Sequence, residues 1–126
     1  MDNLIIAPSK YTPLISFIPA EQYLRIEGES WPENAMETYA PLIQKLSEYF
    51  SQATQSLKVE LLIEGLNTSS QKMILEIFSK LQGYYAEGHQ IDLSWYYPQD
   101  DEELKESWEM LLEDVLFPYK FIEQTY

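Results

Sequence analysis

The sequence predicts an α/β fold, a single domain in which a mixed sheet of about six strands carries three main helices mostly on one face. Segments of alternating apolar residues are separated by segments with apolar residues at helical spacing. The alternating segments are polar at every second position, as in strands that are covered on one face only. A strand, a long helix and another strand follow one another in mid-chain, which predicts parallel strands joined by a right-handed crossover.

The first three strand candidates are short and separated by turn residues, which is typical of an antiparallel meander. They are Leu4–Ile6, Leu14–Ile18 and Tyr23–Glu27. Ser30 with Glu33 then matches the spacing of a capping box and predicts a helix start. Asn34 with Glu37 matches it equally well. Pro41 should kink this first helix or mark its first turn, because proline cannot donate an N–H to the preceding turn.

The middle of the chain passes directly from a strand pattern to a helix pattern. Val59–Ile63 alternates, the polar cluster Asn67–Ser70 follows, and apolar residues then recur at helical spacing from Met73 to Tyr85. Gly88 is a predicted C-terminal cap. Ile91–Tyr97 alternates again, so it is the strand that completes the crossover.

An acidic loop, Pro98–Glu103, leads into the third helix, whose apolar stripe runs from Leu104 to Val115. Asp100 or Asp101 can cap that helix, and carboxylates suit its positive end. Phe117–Ile122 is the last strand, placed at a sheet edge because of Pro118.

Two-faced strands imply that one face of the sheet is left partly exposed. We expect this open face to be available to a partner protein. Tyr23, Arg25 and Tyr96 are the candidate residues on it.

Length, hydropathy and charge limit the classes of function that the chain can have. The 126 residues suit one domain spanning 1–126, and no apolar run approaches the roughly 20 residues that span a bilayer. The N-terminus lacks the basic region of a signal peptide, so we expect a soluble, cytoplasmic protein. A formal net charge of −13 disfavours nucleic acid and anionic membranes, and favours protein partners with basic patches.

The same composition limits the possible chemistry. There is no cysteine, which excludes disulfides, thiol nucleophiles and thiolate metal sites. His89 is the one histidine and lies between a helix end and a strand, so it is interpreted as a loop residue rather than a catalytic base. No carboxylates are spaced as a calcium loop. We expect neither a metal nor another cofactor.

The polar junction at Asn67–Ser70 is a candidate both for helix capping and for chemical modification. The first N–H groups of a helix lack internal partners, and asparagine, threonine or serine can cap them. The positive end of the helix also favours a phosphoryl group on Thr68, Ser69 or Ser70. Spacing alone favours capping.

Three segments together resemble the SiaC-type regulatory phosphoproteins: Gly28–Ala35, Leu66–Lys72, and Trp95–Tyr97 with Asp100–Glu102. The block Asn-Thr-Ser-Ser-x-Lys, at residues 67–72, is the most specific of them, and the resemblance covers nearly the whole chain. The sequence departs from the family at Trp31, where tyrosine is usual, and at Gly65-Leu66, where a larger aromatic residue commonly precedes the asparagine.

The resemblance implies a STAS-like fold and a partner-switching role without enzymatic activity. In such systems a serine/threonine kinase (SiaB-like) phosphorylates the protein, and a metal-dependent phosphatase (SiaA-like) reverses the modification. The family's phosphoacceptor threonine falls on Thr68. The phosphorylation state then controls an effector such as a diguanylate cyclase (SiaD-like), and through it cyclic di-GMP signalling and biofilm formation.

The candidate partner-binding residues lie around this acceptor: Asn67, Thr68, Ser69, Ser70, Lys72, Ser30, Glu33 and Asn34. Asn67 either orients the loop or caps the helix, and Ser69 and Ser70 are expected to be caps rather than second acceptors. Lys72 either contacts a phosphate or nucleotide, or is simply solvated.

Two other functions remain as alternatives. One is a small acid/base hydrolase that uses Asp100 and Glu102. The other is a STAS-type small-ligand sensor with a pocket near Asn67 and Trp95, or a binding module like the anti-sigma-factor antagonists.

Overall fold

The computed structural model describes residues 1–124, which form one six-stranded sheet and three α-helices. The strands are β1 (Leu4–Ile6), β2 (Leu14–Ile18), β3 (Tyr23–Ser30), β4 (Ser56–Leu66), β5 (Gln90–Pro98) and β6 (Tyr119–Gln124). The helices are α1 (Ala35–Phe50), α2 (Thr68–Ala86) and α3 (Glu102–Glu109), and short 3₁₀ turns lie at Pro19–Glu21 and Met110–Leu112.

The strands lie side by side in the order in which they occur in the chain. β2 is antiparallel to both of its neighbours, β1 and β3, and β3, β4, β5 and β6 are parallel. A helix connects each parallel pair. Each of these three crossovers leads to the next strand on the same side, and crossovers of this kind are right-handed. All three helices therefore lie on the same face of the sheet. The predicted fold class is therefore confirmed, and β6 lies at an edge as expected.

The core lies between the helices and alternate residues of the strands. Phe17 pairs with Leu24, Leu24 with Val59, and Val59 with Leu93, and all four are buried. Further along β5, Trp95 stacks on Trp108 of α3 with ring centroids 4.6 Å apart. This single row of apolar positions is what the alternating pattern predicted.

Side chains define the start of each helix. The Asn34 Oδ1 accepts from the Glu37 N–H at 3.1 Å, so the second capping alternative is confirmed and α1 begins at Ala35. The first alternative is wrong, because Ser30 is the last residue of β3. Pro41 lies inside α1, six residues after its start, so it does not mark the first turn.

The structure also shows which residues end α2 and begin α3. Gly88 follows α2 with φ of 105°, a left-handed conformation that glycine adopts without strain, which confirms the predicted cap. Asp101, rather than Asp100, caps α3 by accepting from the Leu104 N–H at 3.1 Å. The third helix is shorter than predicted: after Glu109 the chain tightens into a 3₁₀ turn that still buries Leu112.

Among residues 1–124, no helix covers the second face of the sheet. Tyr23, Arg25 and Tyr96 are half-buried on it, where the sequence predicted them. In residues 1–124 the structure contains no helix both long and apolar enough to cross a membrane.

Candidate functional site at the start of α2

Asn67 joins the start of α2 to the loop that precedes α1. Its Oδ1 accepts from the Ser70 N–H at 2.9 Å, which makes it the N-cap of α2. Its Nδ2 donates to the Pro32 carbonyl oxygen at 2.9 Å, and its backbone N–H donates to the Ser30 carbonyl oxygen at 3.0 Å. Both proposed roles of Asn67, loop orientation and capping, are therefore present in one side chain.

Ser30 and Ser70 connect the same two elements from inside. Both are fully buried, and their Oγ atoms lie 2.8 Å apart. The Ser30 Oγ also lies 2.7 Å from the Tyr39 Oη of α1. Because buried hydroxyls need partners, this chain of three fixes the end of β3 against both helices.

Thr68 is the first residue of α2, and its side chain is exposed. The N–H groups of Thr68 and Ser69 precede the first intrahelical hydrogen bond, so they remain available to an anion. Lys72 is exposed one turn later, on the same side of the helix as Thr68. A hydroxyl, two free amides and a cation thus lie together at the positive end of α2.

The structure divides the candidate residues into two groups. Thr68, Lys72, Glu33 and Asn34 are exposed, and Asn67 and Ser69 are partly exposed. Ser30 and Ser70 are buried, so in this structure they position the site and do not face a partner. Ser70 is not a cap, and neither is Ser69, whose hydroxyl donates to the Asn67 Oδ1 at 3.2 Å. Asparagine, threonine and serine can all cap a helix, so only the hydrogen bonds of the structure identify Asn67 as the residue that does.

Trp31 and Gly65, the two departures from the family pattern, are in contact. The pairing passes from Gly28 with Ile63 to Glu29 with Gly65, so Glu64 is an extra, bulged residue. A Cβ at Gly65 would lie 2.9 Å from the Trp31 Cζ2, closer than a real contact allows. Trp31 is 46% exposed and takes the space of a side chain at position 65. Sequence reasoning noted both residues but missed their contact, which the bulge produces.

The open face has a polar centre at Glu60 of β4. Its carboxylate accepts from the Tyr23 Oη at 2.5 Å and from the Tyr96 Oη at 2.7 Å. Burial alone would raise the pKa of Glu60, but these two hydrogen bonds, with Lys58 and Arg25 nearby, lower that pKa below its ordinary value. Burial and the hydrogen bond to Glu60 raise the pKa of Tyr23. Sequence reasoning placed the tyrosines on this face but missed their hydrogen bonds to the carboxylate between them.

The residues considered for acid/base catalysis lie at the start of α3 and just before β5. Asp100 and Glu102 are both exposed beside the Asp101 cap. His89 is buried just before the amino end of β5. Its Nδ1 accepts from the Gln55 N–H at 3.0 Å, which is a structural role. Within residues 1–124, no group of three or more histidine, aspartate and glutamate side chains is placed to hold a metal ion.

A cavity of about 520 Å³ lies at the end of the sheet where the parallel strands begin, opposite to the end at which α2 starts. It is lined by residues at the amino ends of β4 and β5, among them Lys58 and Asp92. Neither Asn67 nor Trp95 lines it. This cavity is therefore not the pocket predicted near Asn67 and Trp95. A second cavity, of about 390 Å³, lies closer to that position, since it is lined by Leu66, which precedes Asn67, and by Trp108, which stacks on Trp95.

The fold and the site define a class of protein. It is a small α/β module whose sheet has one face not covered by the helices described, and it exposes a hydroxyl at a helix start, a position that favours anions. The family model described as SiaC family regulatory phosphoprotein matches residues 6–124. The chain belongs to this family. It is 29% identical over 119 residues to an uncharacterized protein of Pseudomonas aeruginosa (strain UCBPP-PA14), covering 94% of each chain.

Solved structures of the family agree with this fold. SiaC of Pseudomonas aeruginosa superposes with a TM-score of 0.91 at 28% identity, over 98% of this chain and 100% of that one. The crystal structure of diguanylate cyclase SiaD in complex with its activator SiaC, from the same organism, includes a match with a TM-score of 0.92 at 28% identity, covering 96% and 99% of the two chains.

Proposed function

We propose that this chain is a non-enzymatic phospho-switch. A partner serine/threonine kinase phosphorylates Thr68, and a metal-dependent phosphatase removes the phosphoryl group. The modification controls binding to an effector such as a diguanylate cyclase, and so cyclic di-GMP and biofilm signalling. The observation that carries this proposal is the exposure of Thr68 at the first position of α2, beside two free backbone amides.

Two features support reversible modification at this position. The phosphoryl group adds about −1.5 to −2 charge, which the positive helix end and Lys72 stabilise, so the fold is retained. The Asn67 cap and the buried serines lie beneath Thr68 and do not involve its hydroxyl. The switch therefore acts on the surface that a partner meets.

The family supports the choice of effector. A SiaC that this chain resembles over nearly its full length activates a diguanylate cyclase, and that complex motivates the same class of partner here. The net charge of −13 suits a partner with a basic surface. An added phosphate on the contact surface weakens binding where the partner has no basic pocket opposite Thr68, because the charge then loses its hydration without gaining a partner.

The site is tested by incubating the protein with the partner kinase of its own organism, ATP and Mg²⁺, and measuring intact mass and peptide fragments. We expect one phosphoryl group, located on Thr68, and none on Thr68→Ala. Ser69→Ala is the matched control, since its hydroxyl is one residue away and the variant should be phosphorylated normally. Phosphate on Ser69, or on Thr68→Ala at another residue, would move the site; no phosphorylation of the wild type would contradict the proposal.

A further inference from the structure

The strand β6 forms the longer of the two edges of the sheet. It has six residues against three in β1 at the opposite edge, and its pairing with β5 runs without a bulge from Tyr119 to Gln124. Within residues 1–124, no strand pairs with its other side. A regular unpaired edge is a template to which another extended chain can add a strand.

The pairing with β5 identifies the backbone groups on the free side of β6. The Pro118 carbonyl oxygen accepts from the Leu93 N–H at 3.1 Å, so it points to β5. Backbone groups of successive residues in a strand point to opposite sides, so those of Lys120 and Ile122 also point to β5. The N–H and C=O groups that point away from the sheet belong to the alternate residues Tyr119, Phe121 and Glu123.

A cavity of about 570 Å³ lies beside this edge, on the face of the sheet that the helices cover. From β6 it is lined by Tyr119 and Phe121, and Phe121 pairs with the buried Trp95, which places both side chains on that face. The other lining residues recur at helical spacing along one side of α3 and its 3₁₀ turn: Glu106, Glu109, Met110 and Glu113. We call this feature the β6 cavity.

The β6 cavity combines negative charge with exposed apolar surface. Its three glutamates are all exposed. Lys105 lies 3.7 Å from Glu109, and in the described part of the chain it is the one cation that forms an ion pair with these carboxylates. Met110 is 73% exposed and Tyr119 is 42% exposed. Lysine and arginine complement such a lining, because they join an apolar stem to a charge that carboxylates and aromatic rings attract.

The same charge disfavours a second copy of the chain as the occupant of the edge. Two β6 strands paired antiparallel about a two-fold axis would keep their helices on one face. Their acidic cavities would then lie side by side on that face, and like charges repel across an interface. The net charge of −13 on each copy adds to this repulsion. The charge of the edge therefore favours a basic partner.

We propose that the free edge of β6 receives an extended, basic segment of a partner protein, which adds a seventh strand to the sheet. Lysine or arginine side chains at alternate positions of the segment enter the β6 cavity. The backbone of the segment pairs with the outward N–H and C=O groups of β6. The residues of this surface belong to α3, its 3₁₀ turn and β6, so the inference does not depend on phosphorylation of Thr68.

The first test titrates the full chain with a synthetic peptide. The peptide alternates arginine and valine and is capped at both ends, so that its charges lie on one face when it is extended. A control peptide has the same sequence with an N-methyl group at every peptide bond, which keeps the charge and removes the backbone donors. Calorimetry should show binding of the first peptide and at least tenfold weaker binding of the control. Equal affinities, or no binding of the first peptide, would overturn the proposal.

Hydrogen exchange of single amides, followed by NMR, locates the added strand. In the free protein the outward amides of Tyr119, Phe121 and Glu123 should exchange faster than those of Lys120 and Ile122, which are bonded to β5. We expect the peptide to slow exchange at the three outward amides and to leave the other two unchanged. Unchanged outward amides would refute the added strand. Protection that rises with protein concentration in the absence of peptide would show that a second copy occupies the edge, which also contradicts the proposal.

The role of the cavity is tested with two charge-matched double variants. Glu106→Gln with Glu113→Gln removes two charges from the cavity, and Glu48→Gln with Glu76→Gln removes two from exposed positions on α1 and α2. We expect about a tenfold loss of affinity for the peptide in the first, the order expected for two exposed ion pairs, and wild-type affinity in the second. Equal losses would show that affinity follows net charge alone, and wild-type affinity in both would show that the cavity takes no part; either result counts against the proposal.

Discussion

At the scale of single residues, Asn67 determines the geometry around Thr68. Its carbonyl oxygen caps α2 while its amide nitrogen holds the Pro32 carbonyl oxygen of the neighbouring loop. An asparagine is needed for both, because it offers an acceptor and a donor on one short side chain. Serine or threonine in its place would supply the cap alone.

Two substitutions separate these roles. Asn67→Ala removes both contacts and should lower the free energy of unfolding by about 1–3 kcal/mol, the sum of a lost cap and a lost hydrogen bond. Asn67→Asp keeps the acceptor and loses only the donor, so it should cost less than half as much. Urea unfolding measures both changes. Equal costs for the two variants would contradict a capping role for the carbonyl oxygen.

The sequence located this site but not its arrangement. Residue types and position placed Asn67–Ser70 at a helix start, which the structure confirms, and the family resemblance proposes Thr68 as the phosphoacceptor. Which residue caps, and which serine is buried, depends on Pro32 and Ser30, contacts between segments more than 30 residues apart that periodicity does not encode.

At the scale of elements, the strands of the sheet have two distinct faces with different chemistry. On β4, Val59 and Leu61 are buried under the helices, and Glu60 between them receives two tyrosine hydroxyls on the open face. The alternation of the sequence predicted these faces correctly. It did not predict the bulge at Glu64, because an extra residue in one strand leaves no mark on the apolar pattern at a strand end.

Glu60 makes stability depend on pH in the acid range. Its pKa in the folded protein is below the ordinary value, so the unfolded chain binds the proton more readily. Its contribution is therefore complete above an ordinary carboxyl pKa of about 4.3 and is lost as pH falls through the lowered pKa. Glu60→Gln should be less stable at pH 7, and should lose less stability than the wild type on acidification.

Chemical unfolding measured between neutral and acid pH checks this expectation. Glu64→Gln is the matched control, since Glu64 is an exposed carboxylate on the same strand. Its stability should change with pH as the wild type does. Parallel curves for Glu60→Gln and the wild type would show that the two tyrosine hydrogen bonds do not hold the carboxylate in its charged form.

At the scale of the whole molecule, one sheet separates two surfaces. The helices of three successive crossovers cover one face. The start of α2 lies at the carboxyl ends of the parallel strands. The sequence predicted that the helices lie mostly on one face because the strands were two-faced, but it did not specify the consecutive strand order. The 3₁₀ turn after α3 was not predicted either, since the apolar spacing from Leu104 to Val115 fits one continuous helix as well as a broken one.

The most direct test of the proposed phospho-switch is the affinity of the proposed partner, the diguanylate cyclase of the same organism, for the two forms of the protein. Kinase-treated protein, purified with the phosphoryl group on Thr68, is titrated beside the unmodified protein, with circular dichroism to verify that both are equally folded. The account predicts equal folding and at least a tenfold weaker complex for the phosphorylated form. Equal affinity of two equally folded forms would contradict it.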